Sequence, residues 1–345
     1  MTFPASLPSP RTPDPRQAPP LRWGILGTGW IAQQFTTALQ QNTTQRVTAV
    51  GSRSQEGADR FGERFGVEGR HASYADLVAD PEVDVIYVAT PHNHHHRDAL
   101  LALRAGKHVL VEKPMTVDAD QAREIAREAD ERGLFAMEAL WTLFLPKFDV
   151  IRQLIESGVF GRIRTVLADH GQHFDADHRI MDPALAGGPM LDLMTYPASF
   201  AKWVIGDPVD VVARTTWAPS GVTGQTAITY TTADEAQALL HSSVLSRTPT
   251  TGAICGDAAL LEIDGDFYVP GGFTLTDHEG HRLRYDEEEV AHTGGLHFQA
   301  CEMARRIAAG ETSSPLRTLD ATIATLAIMD AARAQIGETF AEPSA

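Results

Sequence analysis

Between Leu21 and about Leu140 the chain repeats one pattern: a short apolar run, then a stretch whose apolar residues fall three and four apart. The runs are LRWGIL, RVTAVG, VDVIYVAT, HVLVE and LFAMEAL. The intervening stretches are IAQQFTTALQQ, SQEGADRFGERFG, HHHRDALLALRAG and DADQAREIAREADERG, the last opening on Asp118 as an N-cap. Strand and helix in alternation predict a doubly wound parallel sheet, a Rossmann architecture. The unbroken apolar character of VDVIYVAT suits a strand covered on both faces.

A helix is expected from Pro146 to Ser157, and beyond it the texture changes. From Ile163 to about Tyr285 the runs RTVLADH, VDVVARTTWA, GQTAITYTT, AQALLHSSVL, GAICG and ALLEID alternate apolar and polar positions. Turn signals at Gly221, Gly224, Asp264-Gly265 and Gly271-Gly272 separate strands here. One helix, MLDLMTYPASFAKWVIG, interrupts them, and two more, LHFQACEMARRIAAG and TLDATIATLAIMDAARAQIG, close the chain. This predicts a second α+β domain, a large open and mainly antiparallel sheet with helices on one face. The expected division is a disordered proline-rich tail over 1–20, a doubly wound domain over 21–140 and an α+β domain over 141–340. Two hydrophobic cores fit a length of 345 residues.

Charge narrows the partners. With 45 Asp and Glu against 29 Lys and Arg, the formal charge of −16 repels phosphate backbones and anionic membranes, which argues against nucleic acid. No run reaches the roughly 20 apolar residues of a membrane span. The two cysteines, Cys255 and Cys301, lie far apart with no histidine at metal-site spacing. A cytoplasmic protein acting on a small molecule is the expectation.

Directly after the first strand stands Gly27-Thr28-Gly29-Trp30-Ile31-Ala32, a G-x-G-x-x-A turn leading into a helix. The first glycine permits a tight turn, the second lets backbone approach a pyrophosphate, and the small sixth residue lets helix and strand pack closely. Helix N–H groups then face the negative charge. At the end of the second strand an NAD site would place an acid against the ribose 2′-hydroxyl, but this chain has Ser52-Arg53-Ser54 and no acid until Glu56. Two hydroxyls and a guanidinium suit a 2′-phosphate, so NADP(H) is favoured over NAD(H). His92, His94, His95 and His96 do not predict a metal site, since adjacent helical residues diverge by about 100° and no Cys or acid completes a set.

The segments TPHNHHHRDALLALRAGKHVLVEKP, GLFAMEALWTLFLP and AGGPMLDLMTYP, following that turn, resemble the Gfo/Idh/MocA family (glucose-fructose oxidoreductase and inositol dehydrogenase). They are most similar to its dimeric dihydrodiol dehydrogenase and NADP-dependent D-xylose dehydrogenase branch. The resemblance implies that Lys113 of the EKP motif reaches the nicotinamide ribose and the reacting oxygen. It places Thr90, His95 and Glu112 with Lys113 around the cofactor. Tyr196 takes the position of the general acid/base and Asp192 that of a substrate-orienting carboxylate. Trp141, Phe174 and Arg179 are expected in or near the substrate pocket, and a homodimer is implied. One departure is Met194, where relatives commonly have Gly. Asp192 and Tyr196 are four apart in a helix candidate, which sets them on one face. A phenol titrates near pH 10, so Tyr196 needs a cation such as Lys113 to exchange protons near neutrality. The activity implied is hydride transfer between nicotinamide C4 and a CH–OH or C=O carbon of a sugar, polyol or cyclic trans-diol. Two other uses of such a fold are an NAD-dependent glycosidase and a catalytically silent NADP-sensing regulator.

Overall fold

The computed structural model describes residues 3–287 and 293–340. The chain divides into two compact units, one formed by Pro13–Phe144 with Thr293–Thr322, the other by Met1–Thr12, Leu145–His292 and Ile323–Ala345.

In the first unit, β1 (Arg22–Leu26), β2 (Arg46–Gly51), β3 (Gly69–His71), β4 (Val85–Val88), β5 (His108–Glu112) and β6 (Ala136–Ala139) form one sheet in the order β3-β2-β1-β4-β5-β6. Every pairing is parallel. The crossovers are α1 (Trp30–Asn42), α2 (Gln55–Phe65), α3 (Tyr74–Ala79), α4 (His95–Arg104) and α5 (Ala119–Arg132). Burial on both faces explains why VIYV of β4 shows no alternation, all four residues being buried. Asp118 caps α5 by accepting from Gln121 N at 2.8 Å. Two elements go beyond the expectation, the three-residue β3 and six-residue α3, both too short to show a period. The core joins Leu26, Ile86, Val88, Leu103, Val109, Val111 and Ile125.

The second unit holds α6 (Pro146–Ser157), β7 (Ile163–Gly171), α7 (Pro189–Asp192) and α8 (Thr195–Ile205). The strands β8 (Pro208–Trp217), β9 (Thr223–Thr232), β10 (Gln237–Ser243), β11 (Gly252–Gly256), β12 (Ala259–Ile263), β13 (Phe273–Asp277) and β14 (Arg282–Tyr285) follow. Eight strands make one sheet in the order β14-β13-β12-β11-β7-β10-β9-β8. It is antiparallel except for the parallel pair β7 and β10. Alternation along β7 buries Val166, Ala168 and His170 and leaves Leu167 outside. Register places Val212, Thr229, Leu239, Leu167 and Ala253 side by side across five strands. Val212, Leu239 and Leu167 in that row are 45%, 45% and 42% exposed. The chain ends in α9 (His297–Ala308) and α10 (Leu319–Ile336).

Two expectations differ from what the structure shows. The segment over 1–20 is held at several points between Ser9 and Ala18. Arg11 meets Asp149 through its side chain at 2.9 Å and its backbone N–H at 2.6 Å, and Ser9 O accepts from Gln153. Pro13 O and Asp14 O accept from Arg305, and Ala18 is buried against Cys301 and Ala304. Composition hid these partners because they lie more than 130 residues away. MLDLMTYPASFAKWVIG is also not one helix. Pro197 has no N–H to offer Leu193 O, so α7 and α8 are separated at Leu193 and Met194. Among the described residues no helix is long and apolar enough to cross a membrane.

Candidate active site

In the first unit, the turn after β1 is shaped by close approach. Gly27 has φ +104°, donates its N–H to Gly51 O at 3.1 Å, and a Cβ there would lie 2.8 Å from Ala89 O. Gly29 then starts α1, whose first turn has no side-chain cap and no acid. Thr28 O accepts from Gln33 Nε2 at 3.2 Å, Ile31 is half-buried and Ala32 fully buried, while Trp30 is 63% exposed. Helix N–H groups without a capping side chain, behind a glycine turn, are what a pyrophosphate requires.

At the end of β2, Ser52 is buried, and its hydroxyl occupies space that a side chain on Gly57 would need, 2.4 Å from a Cβ built there. Ser54 caps α2 by accepting from Gly57 N at 3.2 Å. Arg53 is exposed. His94 is held below the usual imidazole range mainly by burial, with the charges of Arg97 and Arg53 adding to the effect and Asp98 opposing it.

Beyond β4 and β5 the backbone leaves the sheet and its polar groups are met by side chains. His95, 1% exposed, directs Nδ1 at Pro114 O and Nε2 at Thr90 O, both at 2.8 Å. Burial lowers its pKa, against the pull of those two carbonyls. Glu112 is buried, accepts from Tyr87 OH, and takes Lys113 N at 3.1 Å. Met115 N donates to Glu138 Oε1 at 2.9 Å. The backbone N–H of Lys113, the carbonyl of Pro114 and the N–H of Met115 thus each have a buried partner. His96 faces Glu124 at 3.0 Å, so neighbouring histidines serve different partners. Trp141 is buried in the short 3-10 turn after β6.

In the second unit, Tyr196 at the start of α8 is buried in an aromatic group. Its ring lies 4.4 Å from Tyr268 and 5.5 Å from His170, centroid to centroid, and His170 stacks on Tyr268 at 4.5 Å. Gln172 Nε2 lies 3.2 Å from His170 Nε2 and 3.4 Å from Tyr268 OH. Asp192, at the end of α7, pairs with Arg179 at 3.2 Å. Phe174 lies elsewhere, stacked on His178 at 4.6 Å and packed against Ile180, Met181, Leu193, Val222 and Val244. Sequence reasoning missed His170, Gln172 and Tyr268. His170 was accessible as the third inward position after Val166 and Ala168, whereas Tyr268 in DGDFYVP carries no periodic signal.

A doubly wound sheet with a glycine-led, uncapped α1 and a lysine on the loop after β5 defines an oxidoreductase dependent on a nicotinamide dinucleotide. Residues 21–140 match the family described as "Oxidoreductase family, NAD-binding Rossmann fold", and residues 148–262 match the "GFO/IDH/MocA C-terminal domain". The chain belongs to the Gfo/Idh/MocA oxidoreductase family. It is similar to trans-1,2-dihydrobenzene-1,2-diol dehydrogenase of Sus scrofa, 32% identical over 93% of this chain and 98% of the relative. Among solved structures it is similar to KijD10, a 3-ketoreductase from Actinomadura kijaniata in complex with NADP and TDP-benzene. That match has 27% identity and a TM-score of 0.80 over 92% of this chain and 98% of the other. Forms of that ketoreductase with a lysine changed to alanine or a tyrosine to phenylalanine also match. Levoglucosan dehydrogenase in complex with NADH and levoglucosan shares the fold, with a TM-score of 0.83 at 18% identity over 92% of this chain and 98% of the other.

The close approach at Gly27 gives a direct test. Gly27→Ala sets a methyl against Ala89 O and imposes a strained φ. Dinucleotide affinity is expected to fall at least tenfold by fluorescence titration, with the second unit's aromatic near-ultraviolet circular dichroism retained.

Proposed function

We propose that this protein is an NADP(H)-dependent oxidoreductase that interconverts a CH–OH and a C=O carbon of a sugar, polyol or cyclic trans-diol. The observation that carries the reading is the placement of Tyr196, a buried phenol beside His170 and Tyr268 on the helix that follows the Asp192–Arg179 pair. Tyr196 gives or takes the proton on the substrate oxygen at its own Oη. Lys113 lowers the cost of the phenolate by its positive charge. Asp192, itself held by Arg179, accepts a neighbouring substrate hydroxyl and so orients the ring. The nicotinamide, when bound, supplies or accepts the hydride. Names of the relatives support the substrate class, a dihydrodiol in one and levoglucosan in another. The lysine and tyrosine variants of the ketoreductase support testing this pair together.

Ser52, buried at the end of β2, and the exposed Arg53 support NADP(H), since neither repels a 2′-phosphate and both can donate to it. NADPH is expected to bind at least tenfold more tightly than NADH, about 1.4 kcal/mol, and Ser52→Asp to shift the preference toward NADH. Equal affinities by titration would count against the assignment.

We also propose a homodimer joined through the sheet face that exposes Val212, Leu239 and Leu167, large apolar side chains in one row with only Thr229 between them. Light scattering should then give twice the 37.5 kDa chain mass at micromolar concentration, and Leu239→Asp should return the monomer.

The chemical assignment is tested by Lys113→Met and Tyr196→Phe. Each should lower kcat about a hundred- to ten-thousandfold with NADPH binding retained, and the double variant should be scarcely worse than the poorer single one. Full turnover of free NADPH by Tyr196→Phe, folded by circular dichroism, would overturn it.

A further inference from the structure

The last of the three groups holding the Lys113 loop has an unusual support. Glu138 lies on β6, 1% exposed, and its two oxygens are divided between partners. Oε2 accepts from Arg317 Nε at 2.9 Å, from Arg317 Nη2, and from Thr322 Oγ1 at 3.1 Å. Oε1 accepts from Met115 N, two residues beyond Lys113. Arg317 is as buried as its partner, with side-chain exposures of 2% and 1%.

We propose that Glu138, locked by Arg317 and Thr322, is a positioning residue for Lys113. The inference rests on the reading of Lys113 as the electrostatic partner of the acid/base group. As a source of stability alone, the pair is a poor choice, since an apolar pair of similar volume often serves a buried site as well or better. What the pair supplies is an acceptor at a fixed point. Three donors on one carboxylate oxygen prevent the group from turning, so the other oxygen holds the Met115 N–H in one place. Lys113 N on Glu112 and Pro114 O beside His95 hold the backbone that carries the lysine from the other side. A displacement of about 1 Å in a group that acts on the transition state costs on the order of a hundredfold in rate.

The test removes both charges together, so that neither is left buried alone. Glu138→Leu/Arg317→Met deletes the acceptor for Met115. It is expected to lower kcat ten- to a hundredfold, with substrate KM and NADPH affinity within threefold of the parent and the melting temperature lowered only by what the unpaired Met115 N–H and Thr322 hydroxyl cost. Glu138→Gln/Arg317→Gln restores a neutral acceptor oxygen and should recover most of the lost kcat, a rescue that a merely structural role would not produce. Thr322→Val keeps the ion pair but frees one restraint on the carboxylate, and should cost kcat severalfold even if the Leu/Met variant fails to fold. Parent-like kcat in a folded Leu/Met variant or in Thr322→Val overturns the proposal, as does a glutamine pair no better than the Leu/Met pair. Lys113→Met is assayed alongside. If it keeps full activity, the underlying reading fails; if it alone is inactive, only the positioning role fails.

Discussion

A parallel sheet satisfies its backbone only as far as its ladders run, and the first unit places its lysine loop just past that limit. Where the chain leaves β4 and β5 its N–H and C=O groups are buried without strand partners, and buried backbone polar groups must be bonded. Glu112, His95 and Glu138 meet that demand. Each is in turn engaged: Glu112 by Tyr87, His95 by Thr90, Glu138 by Arg317 and Thr322. The same geometry explains why ligands of doubly wound folds gather at the carboxyl ends of the strands. Backbone there is held by side chains, and side chains differ between proteins while ladders do not.

The phosphate turn follows a different rule. Its work is done by absence, of a Cβ at Gly27 and of a capping side chain or acid on α1. The end of β2 uses the same device, since Gly57 leaves room for the Ser52 hydroxyl. The aromatic group around Tyr196 in the second unit is built the opposite way, by crowding. Tyr196, His170 and Tyr268 come from a helix, a strand and a loop and fill one volume.

Much of this was legible in sequence because it is local. The five longer strands of the first unit, the cap at Asp118 and the glycine turn follow from residues within a few positions of one another. Short elements were not, because β3 and α3 span fewer residues than one period can reveal. The break between α7 and α8 was present in the sequence as Pro197, whose missing N–H leaves Leu193 O to accept from Tyr196 N instead, but the apolar spacing read through it. Family resemblance put Phe174 near the substrate. In the structure it packs against a small core with Ile180 and Val244 and stacks on His178, while the rings beside Tyr196 come from His170 and Tyr268. The contacts of Ser9, Arg11 and Asp14 depend on Gln153, Asp149 and Arg305, which no local pattern could supply.

The pairing of Glu138 with Arg317 spans 179 residues of chain. During synthesis the six parallel strands leave the ribosome early, and domains generally begin to fold as they emerge. Glu138 is then a buried-site carboxylate whose cation has not yet been made. The second unit's whole sheet must be translated before Arg317 and Thr322 arrive. Dinucleotide can meet the glycine turn on a nascent chain, but the lysine loop reaches its final form only when the polypeptide is nearly complete.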